Sequence, residues 1–434
     1  MRFRTLEKWL AWQESFHPRL IDLGLSRVRS VYKRLDCAAK KPLTITVAGT
    51  NGKGSCVALL SAFLRAEGYH VGAYTSPHLL RYNERIQIDG KAVDDAAICA
   101  AFERVDQARG ATSLTYFEFG TLAALDLFVR GGVHVQLLEV GLGGRLDAVN
   151  IIDADAMLVT CIEIDHVDWL GESREAIGLE KAGVFRSGVG AVVGEIDPPD
   201  SILRYAEQHR IPLSRFGRDF DFQKTAFRWN WVSGETILAD LPYPALRGEH
   251  QFQNAASVLQ TLKLVEDRCP VSRQAVCQGL ESVNLPGRFQ FICGAPSVLL
   301  DVAHNPQAAA TLAKYIQQNF NHRRIIAVFS IMGDKDIRGV LDNVKPRVSH
   351  WIFAPLSTPR CVSEPEVAEI FSASRIENVT IGLSSAEAAF EEAARKTSGN
   401  DLVIVFGSFF LVAEFLKNEN RFRFADTIPA VSQK

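Results

Sequence analysis

LTITVAGTNGKGSCVALLSAFLRAE, residues 43–67, is the stretch on which the fold turns. Leu43–Ala48 is an uncharged run rich in apolar and β-branched residues, short enough to be a buried strand. Cys56 to Glu67 reads as a helix. Between them stand Gly49, Thr50, Asn51, Gly52, Lys53, Gly54 and Ser55. Strand, glycine loop and helix, in that order, is an arrangement that cradles phosphates. The glycines let backbone N–H groups approach an anion, the helix N-terminus adds partial positive charge, and Lys53 can reach terminal phosphates. The strict G-x-x-x-x-G-K-[ST] spacing is not met, because two residues separate Gly49 from Gly52 and Gly54 intervenes between Lys53 and Ser55. An ordinary Gly-rich turn is the bland alternative, and the two flanking elements argue against it. The stretch predicts a nucleoside triphosphate site.

Outward from this loop, short β-rich runs alternate with helical periodicity, the pattern of parallel strands joined by crossover helices, so the fold class is α/β. Strands are expected at Leu43–Ala48, Val133–Val140, Met157–Ile162 and Ala191–Gly194, then at Ser297–Asp301, Arg324–Ile331, Trp351–Ala354, Asn378–Ile381 and Leu402–Phe406. Arg218–Pro244, with Trp229, Trp231 and two prolines, reads instead as an antiparallel insertion. At 434 residues the chain exceeds the roughly 250–300 over which one core keeps growing. Two domains are expected: a P-loop ATPase domain over 1–285 with a mostly parallel sheet, and a smaller Rossmann-like domain over 297–434. The Pro- and Gly-flanked segment 286–296 is the expected linker, and Asp426–Lys434 looks like a loose tail.

A formal charge of −2 with 23% charged residues offers no broad attraction for nucleic acid or membrane. The cysteines (Cys37, Cys56, Cys99, Cys161, Cys269, Cys277, Cys293, Cys361) form no C-x-x-C pair and no zinc-type quartet, which suits free thiols in a reducing cytosol. The charged start lacks a continuous apolar run, and the longest apolar stretch, Leu402 to Ala413, is shorter than the ~18 residues of a membrane span. A cytoplasmic protein is expected.

Several polar residues stand where strands end. The expected strand Val133–Val140 ends in LLEVGLGGRLDAVN, which places Glu139 at its C-terminal end before Gly141, Gly143 and Gly144, a place that suits Mg²⁺, a hard cation with a preference for oxygen ligands. A capping or ion-pairing role is the alternative. The GLGG run lacks the G-x-G-x-x-G spacing of a dinucleotide fingerprint. Asp165 and His166 follow the next strand, where a lone His is more often a structural hydrogen bonder. Lys181, in REAIGLEKAGVF, would ordinarily be a solvated surface charge. Asn254 could cap a helix, Arg288 could clamp the linker, and His304-Asn305-Pro306 could be a turn.

Taken in order, however, AGTNGKGS, TSPHL (75–79), LLEVGLGG, DH (165–166), EKAG (180–183), GEHQFQNAA (248–256), LPGRFQ (285–290) and DVAHNP (301–306) resemble the Mur ligase superfamily. The GKGS ending favours its folate branch, and the match runs from Ile21 to about Ser408. The resemblance implies an ATP-dependent ligase that joins an amino acid to a carboxylate through an acyl phosphate, here L-glutamate onto dihydropteroate and reduced folates. It implies that Ser76, Glu139 and His166 hold two magnesium ions, with Lys181 carrying a carbamate. It gives Asn254, Arg288, Asp301 and His304 to ATP beside the phosphate loop. It assigns the dihydropteroate site to IDLGLSRV (Asp22, Leu23, Gly24, Leu25), LTYFEFGT (Thr115, Tyr116, Phe117, Glu118) and Leu146, Asp147 and Ala148. Aromatics suit a flat heterocycle, although Tyr116 and Phe117 could equally be core.

The family pattern is departed from at Ser330, where a glycine stands four residues before D-K-D, and at GSFF (Gly407–Phe410), where a histidine is usual. Both bear on amino-acid binding and neither on phosphate or metal. The rival readings are a ligase acting on reduced folates alone, a cell-wall ligase, and a P-loop nucleotide switch. The ligase is expected to act as a monomer.

Overall fold

A computed structural model describes residues 2–19, 21–35, 41–358 and 360–418. Cys37 and the expected tail Asp426–Lys434 lie outside the described residues. The chain divides into two compact units, one running to Ala245 and resuming over Gln251–Asn284, the other made of Leu246–His250 and the chain from Leu285 onward.

The first unit is built on an eight-stranded sheet. Its strands are β1 (Leu43–Ala48), β2 (Val71–Tyr74), β3 (Ile86–Ile88), β4 (Lys91–Ala92), β5 (Val135–Glu139), β6 (Ala156–Val159), β7 (Ala191–Val193) and β8 (Leu213–Arg215). They lie in the order β4-β3-β2-β5-β1-β6-β7-β8. The six from β2 to β8 across β5, β1, β6 and β7 pair in parallel, and β3 and β4 fold back antiparallel at the edge. β1 is buried along its whole length, as an uncharged central strand covered on both faces must be. Its neighbours are β5 and β6, one reached by each crossover direction. The C-terminal ends of these three strands therefore frame a crevice of the kind where α/β sheets place ligands. The insertion forms its own antiparallel sheet of β9 (Phe220–Lys224), β10 (Arg228–Ser233) and β11 (Thr236–Pro242), as expected from its sequence. Trp229 and Trp231 of β10 are buried.

The second unit carries β12 (Gln290–Ile292), β13 (Ser297–Leu300), β14 (Ile325–Phe329), β15 (His350–Phe353), β16 (Val379–Thr380) and β17 (Leu402–Phe406), in the order β12-β13-β17-β14-β15-β16. All but the β12–β13 pair are parallel. The 286–296 segment is thus corrected: it is no free connection, because Gln290–Ile292 pairs with β13 and Phe289 and Phe291 pack into the second unit's core. The Pro and Gly that suggested a linker bound a short edge strand instead.

Candidate active site

The phosphate loop leaves β1 at Ala48 and enters helix Lys53–Ala66, with Gly52 as a left-handed N-cap at φ 87°. Gly49 and Gly52 are there for space. A Cβ on Gly49, at φ 144°, would collide with Thr160 Oγ1, and one on Gly52 would stand 2.9 Å from Asn254 Oδ1. The segment after β6 braces the loop from the other side. Thr160 Oγ1 donates to Asn51 O at 2.6 Å, Thr50 N donates to Cys161 O at 2.8 Å, and Thr50 Oγ1 exchanges hydrogen bonds with the backbone of Glu163. Gln251 links the third side, accepting from Asn254 Nδ2 at 3.0 Å and donating to Ser55 Oγ at 3.4 Å. Asn254 therefore lies against the loop at Gly52. Thr160, Cys161 and Gln251 are positioning residues that the sequence reading did not single out.

Two lysines meet on one carbonyl. Lys53 Nζ donates to Gly49 O and Thr50 O, both at 2.9 Å, and Lys181 Nζ donates to Gly49 O at 2.9 Å. Lys181 is 3% exposed, which corrects the surface-charge alternative. It sits on the buried stripe Ile177, Gly178, Lys181, Ala182 of helix Arg174–Ala182. Burial, with the positive charge of Lys53 beside it, pulls its ionisation down to about 7. At neutral pH a large share of this amine is uncharged and nucleophilic.

The register sets Glu139 opposite Val47, one residue from the end of β1. Its buried carboxylate accepts Ser76 N–H at 3.1 Å, so the TSPHL loop and the strand-end carboxylate are neighbours. A carboxylate and a hydroxyl-bearing residue at the edge of a phosphate loop suit a hard divalent cation. His166 caps the short helix Val167–Leu170 in the left-handed conformation at φ 53°, with its backbone N–H on Asp165 Oδ1. Asp165 in turn acts electrostatically on Lys181. Among the described residues no group of three or more His, Cys, Asp or Glu is gathered to hold a metal, so the metal reading rests on Glu139 with Ser76.

Two of the three segments assigned to dihydropteroate, those around Asp22 and Glu118, come together. Arg27 joins Asp22, at 2.7 Å, to Glu118, at 3.1 Å. Thr115 and Glu118 form a capping box on helix Tyr116–Gly131. Phe117 meets the glycine loop after β5, where a Cβ on Gly141 would stand 2.6 Å from its ring. Tyr116 packs edge-on to Tyr82 under the Arg85 guanidinium. Leu23, Gly24 and Leu25 are half-buried, as is Leu146, while Asp147 and Ala148 are buried. Asp147 accepts the N–H groups of Gly141, Leu142 and Val149, and burial raises its ionisation to about 6. Its role within the fold is to shape the glycine loop.

In the second unit Asp301 follows β13 and is buried; its oxygens accept Phe289 N–H and Ala303 N–H, and burial raises its ionisation to about 6. The Arg288 guanidinium lies over the Phe409 ring at 5.0 Å. His304 Nδ1 is 2.9 Å from Val302 O. Asn305 caps helix Pro306–Phe320 by accepting Ala308 N–H, a structural role not read from the sequence. Ser330 is fully buried beside Cys361, and Phe410 of GSFF is half-exposed.

Along 95% of its length the chain is 41% identical to the dihydrofolate synthase/folylpolyglutamate synthase of Escherichia coli, over 95% of that protein. It belongs to the dihydrofolate synthase/folylpolyglutamate synthase family. Its counterpart from Haemophilus influenzae is 39% identical over 94% of this chain and 96% of that protein. The family described as Mur ligase, glutamate ligase domain, matches residues 287–409. Escherichia coli FolC, solved in complex with DHPP and ADP, superposes with a TM-score of 0.91 at 41% identity, covering 97% of this chain and 99% of that one. A Yersinia pestis bifunctional folylpolyglutamate synthase/dihydrofolate synthase, complexed with AMPPNP and Mn ion, superposes with a TM-score of 0.89 at 43% identity, covering 96% and 98%. As a member of the dihydrofolate synthase/folylpolyglutamate synthase family the chain has a mixed α/β fold, with a large mostly parallel sheet in the first unit and a smaller one in the second, and the cell-wall and nucleotide-switch alternatives fall away.

Proposed function

We propose that this chain uses ATP and a divalent cation to join L-glutamate to the carboxylate of dihydropteroate, forming dihydrofolate, and to that of reduced folates, forming polyglutamates. The family membership supports ATP-dependent, ADP-forming amide ligation. The observation that carries the reading is the convergence at the C-terminal edge of β5, β1 and β6: the Gly49–Ser55 loop, Lys53 and buried Lys181 on one carbonyl, and Glu139 against Ser76.

A carboxylate does not condense with an amine at neutral pH until one of its oxygens becomes a leaving group. Transfer of the γ-phosphoryl group to that oxygen releases ADP and leaves an acyl phosphate. The amino group of L-glutamate attacks the acyl carbon, the C–O bond to phosphate breaks, and the amine gives up a proton. Backbone N–H groups of the loop and the Lys53 charge hold the phosphates and offset the charge that builds during transfer. Asn254, Arg288, Asp301 and His304 bind the rest of ATP. Ser76, Glu139, His166 and a carbamylated Lys181 would hold two magnesium ions, which supply charge neutralisation at the transferred phosphoryl group. The carbamate forms when the neutral Lys181 amine adds to carbon dioxide and releases a proton; an amine with its ionisation near 7 supports this. Asp22 to Leu25, Thr115 to Glu118 and Leu146 to Ala148 surround dihydropteroate. No described helix is long and apolar enough to cross a membrane, and we place the reaction in the cytoplasm, carried out by a monomer.

The test is direct. Purified protein with ATP, Mg²⁺, L-glutamate and either dihydropteroate or a reduced folate should yield products heavier by one glutamyl residue, with ADP release dependent on acceptor and glutamate. ATP turnover indifferent to both would defeat the reading. Ligation of reduced folate alone would leave the monofunctional alternative.

A further inference from the structure

Building on the dihydropteroate reading above, we propose that Arg27 is a positioning residue that presents Asp22, and not Glu118, as the carboxylate meeting the pterin ring. All three residues come from segments assigned to that substrate, yet their hydrogen bonds divide the roles. Glu118 is 5% exposed at its side chain, and both of its oxygens are used: Oε1 accepts from Arg27 Nη2 at 3.1 Å and Oε2 accepts Thr115 N–H at 2.8 Å. It anchors the start of helix Tyr116–Gly131. Asp22 is 22% exposed at its side chain, and among the described residues only Oδ2 is firmly held, by Arg27 Nη1 at 2.7 Å, with His17 Nε2 at 3.5 Å. The other oxygen, Oδ1, has Arg19 at 3.6 Å, beyond hydrogen-bond range, on a side chain 74% exposed. One carboxylate oxygen beside the assigned segments is therefore open to a ligand.

Arg27 also fixes the backbone that carries it. Nη2 donates to Asp22 O at 2.6 Å, while Nε is buried with no partner, so the guanidinium is held through its two terminal nitrogens. The fork spans loop and helix at once, a geometry that a point charge on a flexible stem cannot copy. The ligand edge that fits is chemical in origin: a 2-amino-pyrimidinone ring presents adjacent N–H donors, one of which the open Oδ1 can accept, while Oδ2 keeps a second lone pair beside its bond from Arg27. With Asp22 placed by Arg27, and Phe117 set against the glycine loop, the ring has a polar edge to bind and an aromatic neighbour.

The experiment compares Arg27→Lys, Asp22→Asn and the double variant in steady state with dihydropteroate varied under saturating ATP, Mg²⁺ and L-glutamate, alongside thermal melts. Arg27→Lys should melt near wild type and raise KM for dihydropteroate about tenfold, with the KM for ATP unchanged. Asp22→Asn should do the same, and the double variant should be no worse than the poorer single one, because both remove one arrangement. An unchanged dihydropteroate KM in Arg27→Lys, additive losses in the double variant, or a parallel rise in the KM for ATP would overturn the assignment. If Arg27→Lys fails to fold, Asp22→Asn decides: a KM for dihydropteroate equal to wild type overturns it. Wild-type protein that glutamylates reduced folate but never dihydropteroate would instead remove the reading on which the assignment stands.

Discussion

Lys181 is costly where it stands. Its amine ionises near 7 in the fold and at its ordinary 10.5 when unfolded. As pH falls from 10.5 to 7 the unfolded chain takes up the proton first, so the native state loses stability through that window, and below 7 the loss is constant. The penalty for the unmodified amine at pH 7 is on the order of a few kcal/mol. Lys181→Met should therefore ligate nothing and yet melt above wild type at pH 7 in bicarbonate-free buffer. A lower melting temperature would show that the hydrogen bond to Gly49 outweighs the burial cost. Lys53 makes the opposite case, since it is a loop residue whose bonds to Gly49 and Thr50 are replaceable by water. Lys53→Ala should keep the wild-type melt and lose ligation by orders of magnitude, and near-normal turnover would remove the nucleotide assignment. Lys181 also shows what could be read in advance. Residue type alone argues for a solvated lysine, whereas the helical period Ile177–Gly178–Lys181–Ala182 places it on the apolar face. Asp147, Glu118 and Asn305 were harder, because a side chain that caps backbone N–H groups and one that binds a ligand are the same residue types in the same loops.

The phosphate loop is an element held from outside. Its own sequence explains the glycines, but the bonds that fix it come from Thr160, Cys161 and Glu163, which lie more than a hundred residues further on. Gly49→Ala should lose roughly 1–3 kcal/mol of stability, from the positive φ and the collision with Thr160 Oγ1, and should weaken ATP binding in calorimetry. Adding Thr160→Ala should recover part of that loss, since the clash is with the hydroxyl. A Gly49→Ala protein with wild-type melt and ATP affinity would mean that the loop relaxes freely. Long buried strands such as β1, β5, β14 and β17 were legible because a strand covered on both faces must be an apolar run. β3, β4, β8 and β12 were not, being two or three residues long and partly exposed, with too few positions to show a period. The antiparallel insertion betrayed itself through its tryptophans and turns, and both tryptophans proved to be core.

At the scale of the whole chain, the boundary between units was only partly visible. Leu246–His250 belongs with the second unit while Gln251–Asn284 returns to the first, and no shift in composition marks a boundary that the chain crosses three times. The chemistry is simpler than the boundary. The chain has a single Gly49–Ser55 loop, and Glu139 ends a single strand beside it. Dihydropteroate offers the carboxylate of its aminobenzoyl group and a reduced folate that of its terminal glutamate, and each must reach the same γ-phosphoryl group. The two acceptors therefore exclude each other. With ATP and L-glutamate saturating, dihydropteroate should inhibit glutamylation of a reduced folate by raising its KM and leaving its kcat untouched, with an inhibition constant equal to dihydropteroate's own KM where chemistry is slower than release. Replacing Phe117 by Ala, at the wall against Gly141, should weaken both the substrate and the inhibitor action of dihydropteroate by the same factor. Inhibition that lowers kcat, or two reactions that proceed side by side without mutual effect, would require a second place of reaction on this chain.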